Sequence, residues 1–508
     1  MATEFENFIQ NELPLRAVIF TFETTGYNGD PNNIAAPDIL KYAPKGTLFI
    51  RDSDKSWYVK TGTAADSWEL VAAATVASEG SIITTVSTTG SDTPTLNRPA
   101  LLTVGDYSAY PFLTIQAAIN SLPKQIKHDL HVHIDAGNFT GFEVSGFTGN
   151  PVGSTIAGLA ITGAIGLVTP TTGPASGTAS SGSTSSLTLI GAGWTIDDFK
   201  GKFVRIVAGA GAGQRTIVAT NTATVLTFAH KFTSSINATS QFEIYEPKTI
   251  INTAIGSYTC KVVHNAAYIQ LEKLNVTSYH TIAHFLAACL QIIRFIEIMS
   301  TDASTPILCQ STNMISCSLL SLKNSLNGGV TTQASNHCFI GGLYAENCVS
   351  PIYTDSMNSI NIAGIWIKSI DVYPSIELLN TRSPFVANST VYGLTNVVID
   401  GGVVGIKISN CDISLVNATI KNQTTEAFSL YNSKLLISGS LIGTGNGGWG
   451  MRANKPGVSV TLTVTPTITG TLGNATIDNS VALTWATQLN TSNQYATNVA
   501  SGSRIYRE

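Results

Sequence analysis

The sequence predicts an all-β chain whose main body is a right-handed parallel β-helix, joined to a small N-terminal β-meander and interrupted by an inserted small β module. Three observations predict it. Asn313, Asn336, Asn358, Asn388, Asn410, Asn432 and Asn454 recur at spacings of 23, 22, 30, 22, 22 and 22 residues. A fixed period in this range marks a solenoid, whose short units must stack because none can bury its apolar face alone. Apolar residues also recur at the same offsets from three successive asparagines, Asn313, Asn336 and Asn358: Ile315, Cys338 and Ile360; Cys317, Ile340 and Ile362; Leu320, Leu343 and Ile365; Leu322, Ala345 and Ile367. Residues two apart share one face of a strand, so each unit reads as two short strands with inward side chains at period two. Between them stand Gly341 with Gly342, Ala363 with Gly364, and Gly393, which permit a tight bend.

Residues 1–80 form the N-terminal unit. Within Gly46 to Val71, apolar and polar residues alternate around Asp52-Ser53-Asp54 and around Gly62 to Asp66, the pattern of a hairpin or three-strand meander. Residues 81–105 are Ser/Thr/Gly-rich and read as a linker. Residues 106–152 hold a short helix, IQAAINSLP, with Thr114 as its N-cap, and then the strand Leu130 to Ile134. An amphipathic helix there would cover the open strand edge at one end of the stack.

The run FLTIQAAINSLP, followed by HVHIDAGNF, resembles the N-terminal cap and first coil of pectin-lyase-like β-helices, found in polysaccharide lyases, pectin esterases and bacteriophage tailspikes. Residues 153–249 are an insert. It has a Gly/Ser/Thr/Ala-rich part and then GWTIDDFKGKFVRIVAGAGAGQRTIVATNTATVLTF, similar to small β modules in phage tail and spike proteins. Residues 250–457 are the stack, with Asn265 two coils before Asn313. The 30-residue spacing implies a loop of about eight extra residues within Ile370 to Ser383. The asparagines are expected at the bend before each first strand, their amides bonded up the stack. Residues 458–508 are further strands and a polar tail.

Charged residues make up 12% of the chain and the net charge is −4, about half the usual ~25% charged content. Neither a basic patch nor a Lys/Arg run is present, which excludes the ordinary signals for nucleic acid or an anionic membrane. Met1 to Gln10 lacks signal-peptide character, and Phe285 to Ile298 is too short to span a bilayer and contains Arg294, so it reads as a coil. The seven cysteines, an odd number without a CxxC pair, read as buried free thiols made in a reducing cytoplasm. Gly209, Gly211 and Gly213 lack the GK[ST] of a phosphate loop and read as a hairpin turn. His131 and His133, and His280 and His284, lack a full ligand set, so no metal and no cofactor is expected.

The outward offsets carry the functional signal. Eight residues past three successive asparagines stand Ser321, Tyr344 and Trp366; ten past stand Lys323, Glu346 and Lys368. Adjacent coils would stack Tyr344 on Trp366 and alternate the charges in one ladder. One reading is a stabilised face or a subunit interface; the other is a glycan-binding face built on Tyr344, Trp366 and Lys368. Glycan cleavage needs paired carboxylates. No residue is assigned as catalytic, and the candidates are Glu346, Asp371 and Asp400.

The resemblance implies a structural bacteriophage virion protein of the tailspike or tail-fibre type, assembled in the bacterial host cytoplasm. Its N-terminus would meet other virion proteins, its β-helix would project as a homotrimer, and a host surface polysaccharide is its expected partner. The alternatives are a capsule or lipopolysaccharide depolymerase, and a capsid or neck decoration without a receptor role.

Overall fold

The protein is described here by a computed structural model, which covers residues 77–95, 97–149 and 158–253 continuously and, outside them, chiefly the strands named below. The body is a parallel β-helix. Ile82–Val86, Leu130–Ile134, Leu159–Gly163, Ile269–Glu272 and Ile292–Ile296 lie side by side, all parallel, as the first strands of successive coils. From there the first and second strands merge into long elements: Met314–Lys323, His337–Glu346, Ser359–Lys368, Gly393–Asp400, Asp412–Lys421 and Lys434–Asn446.

Register explains the sequence pattern. Val132, Ile161, Leu271, Phe295, Cys317, Ile340, Ile362, Leu394, Leu415 and Ile437 stand in one file inside the rod, each at most 1% exposed. Each such side chain stabilises the stack by roughly 1.5–3 kcal/mol through removal from water. The paired offsets expected from the sequence, Ile315 with Cys338 and Leu320 with Leu343 and Ile365, coincide with this register.

Four features differ from the sequence reading. From the Leu130–Ile134 coil to that of Glu426–Tyr431 a third strand is present, in a separate parallel sheet that includes Phe142–Ser145, Tyr258–Val263, Ile307–Gln310, Val330–Gln333, Ile352–Asp355, Ile376–Leu379, Val404–Ser409 and Glu426–Tyr431. These strands are short, so a two-residue alternation is too brief to stand out from a turn. The stack also begins earlier than expected. The stretch read as linker holds Ile82–Val86, in register with Leu130–Ile134, and the insert starts only after Leu159–Gly163, itself a rung of the stack. Beyond residue 457 the stack continues through Ser459–Leu462 and Ala482–Trp485 to Arg504–Arg507, in the tail read as polar. The lengthened coil carries its extra residues later than expected. The chain takes 13 residues from Ile352 to Ile365 but 21 from Ile376 to Val397, so they fall between Leu379 and Gly393, outside the described residues. The bend in that coil is occupied by Asn396, at φ 54°, and not by Gly393, which opens the strand.

The helix Ile115–Asn120 starts where expected, with the Thr114 side chain accepting from the Ala117 N–H, and buries Ile115, Ala118 and Ile119 in the same core as Ile82 and Leu130. Arg98 locks this end. Its buried guanidinium donates to the carbonyls of Tyr110 (2.9 Å), Pro111 (2.8 Å), Thr93 (2.8 Å) and Ser91, and lies 3.8 Å from the Phe112 ring centroid.

Farther toward the N-terminus, Leu48–Ile50, Trp57–Lys60 and Trp68–Ala72 form an antiparallel meander, and Ile19–Thr21 adds a parallel edge strand. Its own small core holds Leu40, Phe49, Tyr58 and Trp68. The insert spans Ile165–Leu167 to Gln241–Pro247 as antiparallel strands around Trp194, Phe199, Phe228 and Phe242. Gly209, Gly211 and Gly213 form the turn between Phe203–Ala208 and Arg215–Asn221. Cys260, Cys309, Cys317, Cys338, Cys348 and Cys411 are buried free thiols, and burial pushes Cys338 up to about 12. Among the described residues no helix is long and apolar enough to cross a membrane.

Candidate functional site

The site is built on the outward faces of the second strands, where side chains of neighbouring coils stand over one another. Met299, Ser321, Tyr344, Trp366, Val398, Thr419 and Ile442 form one file. Two residues along each strand runs a second file of Lys323, Glu346, Lys368, Asp400 and Lys421. The Tyr344 and Trp366 rings are parallel within 3°, with centroids 5.1 Å apart.

The insert settles what happens to the first half of these files. The chain leaves the stack after Gly163, in place of a bend, and returns at Thr249–Thr253, the second strand of the same coil. The module therefore lies against the flank it came from. Phe203, Ile217, Ala219, Ala229 and Tyr245 pack on Met299, Leu319 and Tyr344 in one apolar cluster. His230 sits directly on the bend. A Cβ at Gly364, whose φ is +72°, would come 2.3 Å from the His230 Nδ1, and one at Gly342 would come 3.0 Å from its Cβ. Only glycine admits the imidazole there.

Polar contacts complete the clasp. Arg215 pairs with buried Glu297 at 2.7 Å, and Lys323 Nζ donates to the Lys200 carbonyl at 2.9 Å. The Tyr344 hydroxyl donates to Glu346 Oε2 at 2.8 Å, and Lys323 lies 3.7 Å from the same oxygen. Burial, reinforced by the Glu346 hydrogen bond, raises the Tyr344 phenol well above its ordinary value, and burial lowers the Lys323 ammonium against the pull of Glu346.

Tyr344 is fully buried. Of its two expected readings, a stabilised face or a glycan platform, the burial fits the first: it is the seam between the β-helix and the chain's own insert. Trp366 is different. It is half-buried at the edge of the module, and the next residue in its file is Val398. A valine is far shorter than an indole, so the outer part of the Trp366 face overhangs the following coil as a shelf. Beyond it Val398 and Thr419 are half-buried and Ile442 is exposed.

This shelf has polar groups on both sides. On the bend side, Asn417 Nδ2 donates to Asn396 Oδ1 at 3.1 Å, and both residues take φ above +50°. On the other side, Lys421 pairs with Asp400 at 3.1 Å, Asn422 Nδ2 donates to Asp400 Oδ1 at 2.7 Å, and Lys368 is exposed. An aromatic face flanked by amides and charges is the chemistry that receives a sugar ring, apolar on its faces and hydroxylated at its rim.

Of the catalytic candidates, Glu346 and Asp400 are separated by the Lys368 coil. Two coils at ~4.8 Å each put their strands about 9.6 Å apart, well beyond the retaining separation of about 5 Å and at the upper edge of the inverting one. Each is also held by its own lysine. Asp371 lies outside the described residues. Asn410 and Asn432 stand in adjacent coils, with Asn432 Nδ2 donating to Asn410 Oδ1 at 2.9 Å. Asn313, Asn336, Asn358, Asn388 and Asn454 lie outside the described residues, as do Asn265 and His280. His284 is in the strand Thr281–Leu286, which is not the helix that its spacing from His280 would need. His131 and His133 stack outward with centroids 6.0 Å apart, and no metal-binding cluster is present among the described residues.

Sequence reasoning missed Asn396, Asn417, Lys421, Asn422 and His230. Asn422 had a signal: Asn324 and Asn347, also at positive φ and bonded at 3.4 Å, stand 23 residues apart at the same place in earlier coils, whereas Asn396 and Asn417 replace the bend glycine Gly364 and had none. His230 had none, because its role depends on how the insert folds back.

No family model matches the chain, and no curated protein matches it in sequence. Three solved tailspike structures are similar to it at a coarse level. The tailspike gp49 from Pseudomonas phage LKA1 is 11% identical, with 74% of this chain and 75% of that one covered and a TM-score of 0.20. The Pseudomonas phage phi297 tailspike gp61 is 10% identical over 77% and 66%, with a TM-score of 0.23. The gp54 tailspike of Acinetobacter baumannii bacteriophage AP22, solved in complex with A. baumannii capsular saccharide, is 13% identical over 74% and 63%, with a TM-score of 0.19. At such scores these likenesses carry no argument about site or activity.

Proposed function

We propose that this chain is a bacteriophage virion protein of the tailspike or tail-fibre type that attaches to a glycan on the host surface. The reading rests on the resemblance of its capping helix and first coil to those of pectin-lyase-like spikes. The single observation that carries it further is the Trp366 shelf, a half-buried indole at the edge of the insert on a rigid rod. A preformed platform costs little ordering entropy on binding, and repeated copies on a particle multiply a weak contact. In this reading the N-terminal meander joins the particle and the β-helix projects as a homotrimer.

Binding is the favoured activity, because Glu346 and Asp400 are each held by a lysine and a second donor and neither is left free to act as acid or base. The test uses the full chain and host cells. Trp366→Ala should abolish cell binding and the ability of the protein to block phage adsorption, while the far-ultraviolet circular dichroism stays unchanged. Equal binding by Trp366→Ala and the parent would contradict the site, and absence of the chain from purified virions by mass spectrometry would contradict the role.

A further inference from the structure

We propose that the ligand of the Trp366 shelf is an acidic sugar, its ring on the indole and its carboxylate or phosphate on Lys368. This rests on the glycan-attachment reading and narrows it.

The argument is a charge count along one file. Glu346 is satisfied by Lys323 at 3.7 Å and by the Tyr344 hydroxyl at 2.8 Å. Asp400 is satisfied by Lys421 at 3.1 Å and by the Asn422 amide at 2.7 Å. Lys368 stands between them, in register with both, and is exposed. Among the described residues it has no ion-pair partner. The five charges thus leave one positive charge uncompensated, in the middle of the file.

That charge is in the right place. Lys368 and Trp366 are two residues apart on one strand and point to the same side. Their Cα atoms are then about 7 Å apart, the scale of a pyranose ring with an exocyclic acid group and a hydrogen bond. An ammonium on a flexible stem binds an anion as a point charge and adapts to its exact position. On the opposite side of the shelf, the Asn396 amide accepts from Asn417 through Oδ1, and among the described residues its Nδ2 has no acceptor. It is free to donate to a ring hydroxyl. A neutral sugar would use the indole and Asn396 but leave Lys368 without a role.

The experiment measures binding of the full chain to a panel of purified bacterial capsular polysaccharides and O-antigens. Each is presented native, after reduction of its carboxyl groups, and after removal of phosphate. The expected hits are acidic polymers. Binding should fall at least about tenfold when the acid group is removed, and by a similar factor in Lys368→Gln, while Lys368→Arg retains most of it. The treatment that abolishes binding identifies carboxylate or phosphate. Equal binding to native and neutralised polymers, or full binding by Lys368→Gln, would overturn the acidic specificity and leave glycan attachment standing. Failure to bind any polymer in the panel would overturn both.

Discussion

At Tyr344 an outward offset, which normally means solvent, leads to a sealed interface. The ring stacks on Trp366, its hydroxyl is spent on Glu346, and Gly201 of the insert closes over Ser321, Lys323 and the ring edge. Tyr344→Phe removes only the hydroxyl and should cost about 1.5 kcal/mol, the loss of one charge-assisted bond. Tyr344→Ala also opens a cavity and should cost about 3–5 kcal/mol. Urea unfolding followed by tryptophan fluorescence measures both, and equal costs would mean that the ring is not packed as described. His230 makes a second, pH-dependent case. Burial holds its imidazole below the ordinary value and outweighs the pull of the Ala363 backbone. The folded chain therefore favours the neutral ring. Stability is full above the unfolded value of about 6.5, falls as the pH drops through it, and levels off below the folded value. His230→Gln should remove that part of the pH dependence, read as the difference in thermal midpoint between parent and variant from pH 7 to pH 5. A difference that stays constant over that range would contradict the buried placement.

At the scale of a single turn, the asparagine pair Asn410 and Asn432 performs two tasks. Each backbone takes a left-handed conformation, φ 55° and 43°, and the amides join one coil to the next. Asn432→Gly relieves the backbone and loses only the amide bond, at a cost of about 1 kcal/mol; Asn432→Ala adds a left-handed penalty of about 1–2 kcal/mol. Hydrogen exchange of the amide N–H groups of Asn410 and Cys411, which bond to Tyr431 and Ser433, reports the local loss. Alanine and glycine variants that exchange alike would contradict the strain. The turn also shows what was readable beforehand. The first and second strands were legible because Ile340 or Leu343 has a like residue at the same place in the next coil. Val330–Gln333 and Ile352–Asp355 were not, since each offers two inward side chains between turn residues. Ile82–Val86 was hidden by its composition, because Ser and Thr neighbours mask three buried aliphatic or β-branched positions, Ile82, Thr84 and Val86.

Across the whole molecule, the fold class followed from periodicity, and the site followed only in part. Trp366, Lys368 and Asp400 were visible as outward offsets of a repeat. Which of them faces solvent was not, because that depends on a module inserted some two hundred residues earlier in the chain and folded back on the flank. Periodicity records neighbours within the stack; it carries no information on what covers it. The claim on which everything else depends is the register of the coils, since one residue of slip would turn Trp366, Asp400 and Lys421 inward. Engineered disulfides test it most directly. Val398 and Thr419 face each other across adjacent coils, at a Cα separation near 4.8 Å that suits a disulfide. The pair Val398→Cys with Thr419→Cys should oxidise readily, and the pair Val398→Cys with Ile420→Cys, whose second side chain points into the core, should stay reduced, as read by mass spectrometry of peptide fragments. Cross-linking of the second pair in preference to the first would contradict the account.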